Sequence, residues 1–179
     1  MAEILPPRPV KFFVAALFVD ESELSAAKHI MTGAWGPLDF EGTDRAFDVS
    51  NYYETEMGTH ILRRFLSFQA PMSPDELVTV KIRCNQIEED LSVDGKRTVN
   101  LDAGYLDHNK IILASAKEEG QKIYLGQGIY ADLMGRFGAG HYQPFDWTFP
   151  DYRDGRYDEE LRKVRMLLLR QLREMEGGG

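Results

Sequence analysis

Cysteine is nearly absent: Cys84 stands alone in 179 residues. That excludes an intramolecular disulfide and any cysteine-based zinc cluster, and it suits a reducing, cytoplasmic setting. Basic residues are also short, 21 against 29 acidic for a net charge of −8. This balance argues against a general nucleic-acid binder, whose affinity comes largely from neutralising phosphates, and equally against an anionic membrane surface. Long apolar runs are missing too. The longest, residues 12–19, is far too short to span a bilayer. Although Arg8 and Lys11 precede it, it ends in Asp20-Glu21-Ser22-Glu23 rather than in the small residues of a signal cleavage site, so it reads as a central strand, apolar on both faces. The histidines, His29, His60, His108 and His141, have no zinc-hydrolase spacing, and neither a G-x-S-x-G elbow nor a G-x-x-x-x-G-K-[ST] loop occurs. With no internal repeat, inter-domain linker or low-complexity tract, residues 1–179 read as one domain. Its proline-bearing residues 1–9 form an extended tail, and glycines 177–179 form a flexible end.

What is present follows a recognisable order. A strand at residues 10–19 leads into a helix N-capped by Asp20 with Glu23 three positions on. Leu24, Ala27, Met31, Ala34 and Trp35 make its apolar stripe, and Gly36-Pro37 stops it. A strand interrupted near Gly42 follows, then one acidic, aromatic helical turn ending at Gly58, then a strand at residues 62–68. Ser73, Pro74 and Glu76 open the next helix, whose core stripe is Leu77, Val80, Cys84, Ile87 and Leu91. With a strand from Val99 the order is β-α-β-β-α-β, which predicts an α+β ferredoxin-like sandwich with two helices on one face of an antiparallel sheet. Short strand-like runs between residues 98 and 137 extend that sheet as an antiparallel meander, and a C-terminal helix starts near Asp158.

The meander holds most of the residues able to do chemistry. Asp102, Lys110, Lys117, Tyr124, Tyr130 and Asp132 are acids, amines and phenols able to hold a small polar ligand or exchange protons, and Lys110, Lys117 and Arg136 would meet its negative charge. Gly126-Gln127-Gly128-Ile129-Tyr130-Ala131 matches the G-x-G-x-x-A form of a dinucleotide fingerprint, but its place in the chain favours a plain hairpin turn over a phosphate cradle. Glu54, Glu56 and His60 carry metal-ligand chemistry without metal-ligand geometry, so no metal site is expected and the group reads as a solvated acidic loop. Residues 145–153 are rich in large aromatics around Pro150 and should fold back as an ordered lid on the meander. A lid that framed the ligand region would carry Asp151 and Arg153 towards Tyr124 or Tyr130, and a fully buried Trp147 would anchor it.

The phrases VNLDAGYL (residues 99–106), IYLGQGIYADL (123–133) and FDWTFPDYR (145–153) resemble a bacterial and archaeal family catalogued as domain of unknown function 4416. Residues 9–17 and DVSNYYETEMG (48–58) are similar to it as well. The resemblance implies no reaction, cofactor or catalytic residue. It points to Asp102, Gly104, Tyr105, Gly126, Gly128, Tyr130, Trp147, Asp151 and Tyr152.

Together these readings lead to an expectation of a small polar, phosphorylated or nucleotide-like ligand on the sheet face, its turnover left open. Asp102, Tyr105, Lys110, Lys117, Tyr124, Gly126, Gly128, Tyr130, Arg136 and Asp151 would hold it. The competing expectation is an interaction or homodimerisation module using an aromatic patch of Tyr52, Tyr53, Trp147, Phe149 and Tyr152.

Overall fold

Eight consecutive buried residues fix the centre of the molecule. The computed structural model describes residue 1 and residues 3–178, and in it strand β1, Lys11–Phe18, runs buried throughout its length. Its neighbours are β4, Leu62–Phe68, and β5, Val99–Leu106, both antiparallel to it. The full sheet has nine strands, and its main path adds β2 (Leu38–Glu41), β6 (Lys110–Ser115), β7 (Ile123–Gly126) and β8 (Ile129–Gly138) in the order β2-β4-β1-β5-β6-β8-β7. Short β3, Arg45–Ala46, pairs with β4, and β9, His141–Pro144, pairs with β8.

Because side chains alternate across a strand, β1 feeds two cores. Phe12, Val14, Ala16 and Phe18 meet α1 (Glu21–Trp35) and α3 (Leu77–Asp90) on one face. Phe13 and Ala15 meet Tyr152 of α4 (Pro150–Arg153) and the Leu161, Val164, Leu168 stripe of α5 (Asp158–Gly177) on the other. A remaining short helix, α2, spans Glu54–Met57. The molecule is thus α+β, a large antiparallel sheet with helices on both faces, and no described helix is long and apolar enough to cross a membrane.

Local signals work as the residues dictate. Asp20 accepts from the Ser22 N–H at 2.8 Å at the start of α1, and the Ser73 N–H donates to Glu76 at 3.0 Å ahead of α3. Gly177 closes α5, while Ala2 of the tail and Gly179 of the glycine end lie outside the described residues.

Two expectations need correction. The strands after β5 do not form a consecutive meander, because β6 pairs directly with β8. Ten-residue β8 is long enough for its outer edge to take β7 at one end and β9 at the other. Lys11, seen in the sequence as a charge flanking an apolar run, is wholly buried. Its ammonium donates to Asp39 at 2.5 Å and to Gln171 of α5 at 2.9 Å, and burial pulls its pKa down against the lift from Asp39.

Among the described glycines, Gly104 leaves the least room for a side chain. A Cβ there would lie 2.5 Å from the Ile112 carbonyl oxygen, 2.7 Å from Leu113 and 2.8 Å from Phe13. Gly104→Ala should therefore cost at least about 3 kcal/mol, since backbone cannot swing aside. Gly33→Ala, in α1 with nothing within 4 Å, should instead stabilise by about 0.5–1 kcal/mol. Urea midpoints that moved the same way in both variants would refute this account of Gly104.

Candidate functional site

Strand β5 stays with β1 along its whole length but pairs with β6 only from Gly104 to Leu106. Before Gly104 the two strands part, and a crevice of about 530 Å³ opens between them. The parting leaves the Leu101 peptide without a strand on that side, and buried peptide groups need partners. Helix α3 supplies them: Glu88 accepts from the Leu101 N–H at 2.6 Å, and Lys81 donates to the Leu101 carbonyl at 3.1 Å. Lys81, Asn85 and Glu88 recur at i, i+4 and i+7, so one stripe of the helix faces the crevice.

Charges then run through the crevice as a connected chain. Arg97 stands 3.5 Å from Glu88 and 2.6 Å from Glu56, and donates to Asn100 at 3.0 Å. Asn100 donates to Asp102 at 2.9 Å, and Arg63 of β4 donates to the other Asp102 oxygen at 3.2 Å. Beyond Arg63, Asp151 of α4 stands at 3.2 Å and accepts from Tyr157 at 3.0 Å. The Arg63 guanidinium packs over the rings of Phe47, Tyr152 and Tyr157. Burial pushes the Glu88 carboxyl above the usual carboxylate range, against the pull of Lys81, the Leu101 N–H and Arg97. Burial likewise pushes the Cys84 thiol up to about 12, so it packs as core and offers no thiolate.

The loop after β6 adds Lys117, Glu119 and Lys122, and β8 adds Asp132. Lys117 reaches over the Tyr52 ring, 4.6 Å from its centre. Tyr53, Phe47, Phe149 and Pro150 complete the walls.

The ten residues singled out in the sequence do not converge. Asp102 and Lys117 line the crevice, and Asp132 shares it with Asp102. Asp151 sits behind it, buried against Arg63. Tyr105 and Lys110 lie at the paired end of the β5–β6 hairpin, beside a second cavity of about 460 Å³, where Lys110 pairs with Asp107 and Tyr105 packs on Phe12. Tyr124 and Tyr130 contact each other across β7 and β8 without lining either cavity. Gly126 and Gly128, with Gln127 between them, take positive φ in the β7–β8 hairpin, and a strand follows where a dinucleotide fingerprint needs a helix. Arg136 is exposed on β8 opposite Lys110. Among the described residues no group of three or more His, Cys, Asp or Glu side chains is disposed to hold a metal ion, and Glu56 is taken by Arg97.

Sequence reading assigns none of Arg63, Lys81, Asn85, Glu88, Arg97 or Asn100 to a site. A signal exists for three of them. Lys81, Asn85 and Glu88 each follow a core residue of α3 (Val80, Cys84 and Ile87), forming a polar stripe beside the apolar one. Solvent is the ordinary place for such a stripe.

Residues 145–153 do fold against β8: Trp147 donates its indole N–H to Leu133 at 2.8 Å, and Thr148 its hydroxyl to Met134 at 2.6 Å. The expected details differ. Asp151 reaches Arg63 rather than Tyr124 or Tyr130, Arg153 donates back to the Asp146 carbonyl, and Trp147 is 44% exposed. Tyr152 is buried, which removes it from any exposed aromatic patch.

Residues 8–167 match the family described as Domain of unknown function (DUF4416). The chain belongs to that family. No curated protein and no solved structure matches it. Within this DUF4416 chain the matched stretch includes Asp102 and Asp151, which stand on the two sides of the Arg63 guanidinium.

The placement of Asp151 has a measurable consequence. Removing one charge of a buried pair costs about 3–5 kcal/mol, and because Arg63 keeps Asp102, Asp151→Asn should cost about 3 kcal/mol. Half-exposed Trp147→Ala should cost less, about 2 kcal/mol. Thermal melts in which Trp147→Ala is the more damaging change would reverse these assignments.

Proposed function

We propose that the crevice between β5 and β6 binds a small anionic molecule, phosphorylated or nucleotide-like. The observation that carries this reading is the local charge: five cationic side chains, Arg63, Lys81, Arg97, Lys117 and Lys122, line it against four acidic ones, in a chain of net charge −8. Cations concentrated in an acidic protein raise the local density of anions. Lys117 is exposed, stacks on Tyr52 and has no carboxylate partner among the described residues, so it is the cation freest to meet a phosphate. Aromatic walls from Tyr52, Tyr53, Phe47 and Phe149 suit a planar ring. The reading concerns binding, not turnover.

Finer readings of the fold are proposed beside it. Spatial order β5-β1-β4-β2, with α1 and α3 packed on one face, supports reading β1-α1-β2-β4-α3-β5 as a ferredoxin-like unit extended by β6 to β9. One sheet shared by both cores supports a single domain. A free, buried Cys84 supports a reducing, cytoplasmic setting.

A thermal-shift series with AMP, GMP, CMP, UMP and ribose 5-phosphate tests the ligand class. A compound at a hundred times its Kd adds about 2.7 kcal/mol, which raises the melting temperature of a chain this size by about 5–10 °C. Lys117→Ala should remove most of the shift while leaving the unliganded melt unchanged, because the side chain is exposed. No shift from any of these at millimolar concentration would sink the reading.

A second reading draws on exposed aromatics. Tyr52, Trp147 and Phe149 are 57%, 44% and 47% exposed, which supports an interaction or homodimer surface. Light scattering at rising concentration should then give twice the monomer mass, and a strict monomer would remove the homodimer.

A further inference from the structure

The acids of the crevice are not equivalent. Asp102 stands 3.2 Å from Arg63, Glu88 3.5 Å from Arg97, and Glu119 3.9 Å from Lys122. Asp132 is 4% exposed, yet among the described residues no cation lies within 4.0 Å of it. Its Oδ1 accepts from the Gln121 amide at 2.8 Å, and its Oδ2 takes no hydrogen bond from any described residue. Asp132 lines the crevice, and its Oδ2 is not among the described side-chain atoms that are both shielded from solvent and unpartnered, so this oxygen is open to the crevice. A molecule that fills the crevice displaces water from that oxygen and must supply a donor in its place.

The kind of donor follows from the surroundings. An ionised carboxylate only accepts, so the ligand atom facing Asp132 must carry a hydrogen. A ligand cation would enter a space already lined by five cationic side chains, so a neutral N–H or O–H fits better. Asp132 shares a sheet face with Leu113, its partner across β6 and β8, and a core side chain of the α4–α5 layer. That sets it on the sheet floor, whereas exposed Lys117 belongs to the loop at the rim.

We propose that Asp132 is the specificity-determining residue of the crevice: its Oδ2 accepts a hydrogen bond from a neutral donor on the phosphorylated ligand, either an amino group of a base or a hydroxyl of a sugar. The inference rests on the anionic-ligand reading. A site built to hydrogen-bond a substrate N–H or O–H rejects the analogue that lacks it, because the acceptor, stripped of its water, is then left unpaired.

Titration calorimetry on the full chain with two matched pairs of probes tests this. CMP carries an amino group beside a bare ring nitrogen where UMP carries a carbonyl beside a ring N–H, and ribose 5-phosphate and 2-deoxyribose 5-phosphate differ by the 2-hydroxyl. CMP, through its C4 amino group, or ribose 5-phosphate, through its 2-hydroxyl, should bind about ten- to hundredfold more tightly than its partner, and which pair splits tells base from sugar. Asp132→Asn is nearly isosteric and keeps a carbonyl oxygen for Gln121, and it should abolish the difference. Gln121→Ala, which leaves the carboxylate in place, should preserve it. If Asp132→Asn does not fold, the matched pairs on the unaltered protein decide alone. Probes that bind without discrimination in both pairs, or an Asp132→Asn protein that keeps the preference, would overturn this inference and leave the anionic-ligand reading standing. If neither these four nor inorganic phosphate binds, both fall.

Discussion

The hydrogen bonds that Glu88 and Lys81 make to the Leu101 peptide are the constraint on which the rest depends. Strand β5 gives up its second neighbour before Gly104, and a buried N–H and C=O left unmet would each cost about 1–3 kcal/mol. Only long polar side chains from the overlying helix reach that far into the sheet. Once α3 commits a lysine and a glutamate to the interior, their charges need neighbours of their own. Arg97 approaches Glu88, and Asn100, Asp102 and Arg63 follow in turn. A break in strand pairing thus becomes a charged crevice, because each buried ion calls for the next.

The chain of ions also couples the two faces of the sheet. Glu88 belongs to the helix layer of α1 and α3, whereas Asp151 and Tyr157 belong to the layer of α4 and α5. Arg63 is the junction: its guanidinium stands between Asp102 at the crevice and Asp151 behind it, each at 3.2 Å. Residues 145–153 are therefore held by more than their aromatic area. The α4 turn brings a carboxylate to a buried guanidinium, which fixes Phe149 and Pro150 as a wall of the crevice.

Local features were legible in the sequence because their causes are local. The Asp20 cap, the Ser73–Glu76 capping pair and the glycine hairpin at 126–128 each rest on residues a few positions apart. Strand β1 was legible for a different reason: eight apolar residues in a row are too short for a membrane and too long for a loop. What escaped was long-range. Nothing near Ile123 says that β8 rather than β7 lies beside β6, since both runs alternate and both are bounded by glycines. Nothing near Lys11 says that Asp39 and Gln171 wait for it at separations of 28 and 160 residues. Of the site, Asp102 and Lys117 were legible as polar residues among strand formers. Lys81 and Glu88 were not, because a polar stripe on a helix has the same spacing whether it faces water or a gap in a sheet.

The phrase Asp102-Ala103-Gly104-Tyr105 condenses how structure and site divide the work. Tyr105 turns into the core of α1 and α3 against Phe12. Gly104 permits an approach to Ile112 and Leu113 that any Cβ would forbid, so it holds β5 and β6 together at the last pair before they part. One residue pair further on, the strands are free, and Asp102 turns its carboxylate to Arg63 and Asn100 at the crevice. A larger residue at 104 would push the strands apart earlier and shift Asp102 away from the guanidinium it must meet. The glycine is thus not a ligand-binding residue, yet the crevice opens where it does because of it.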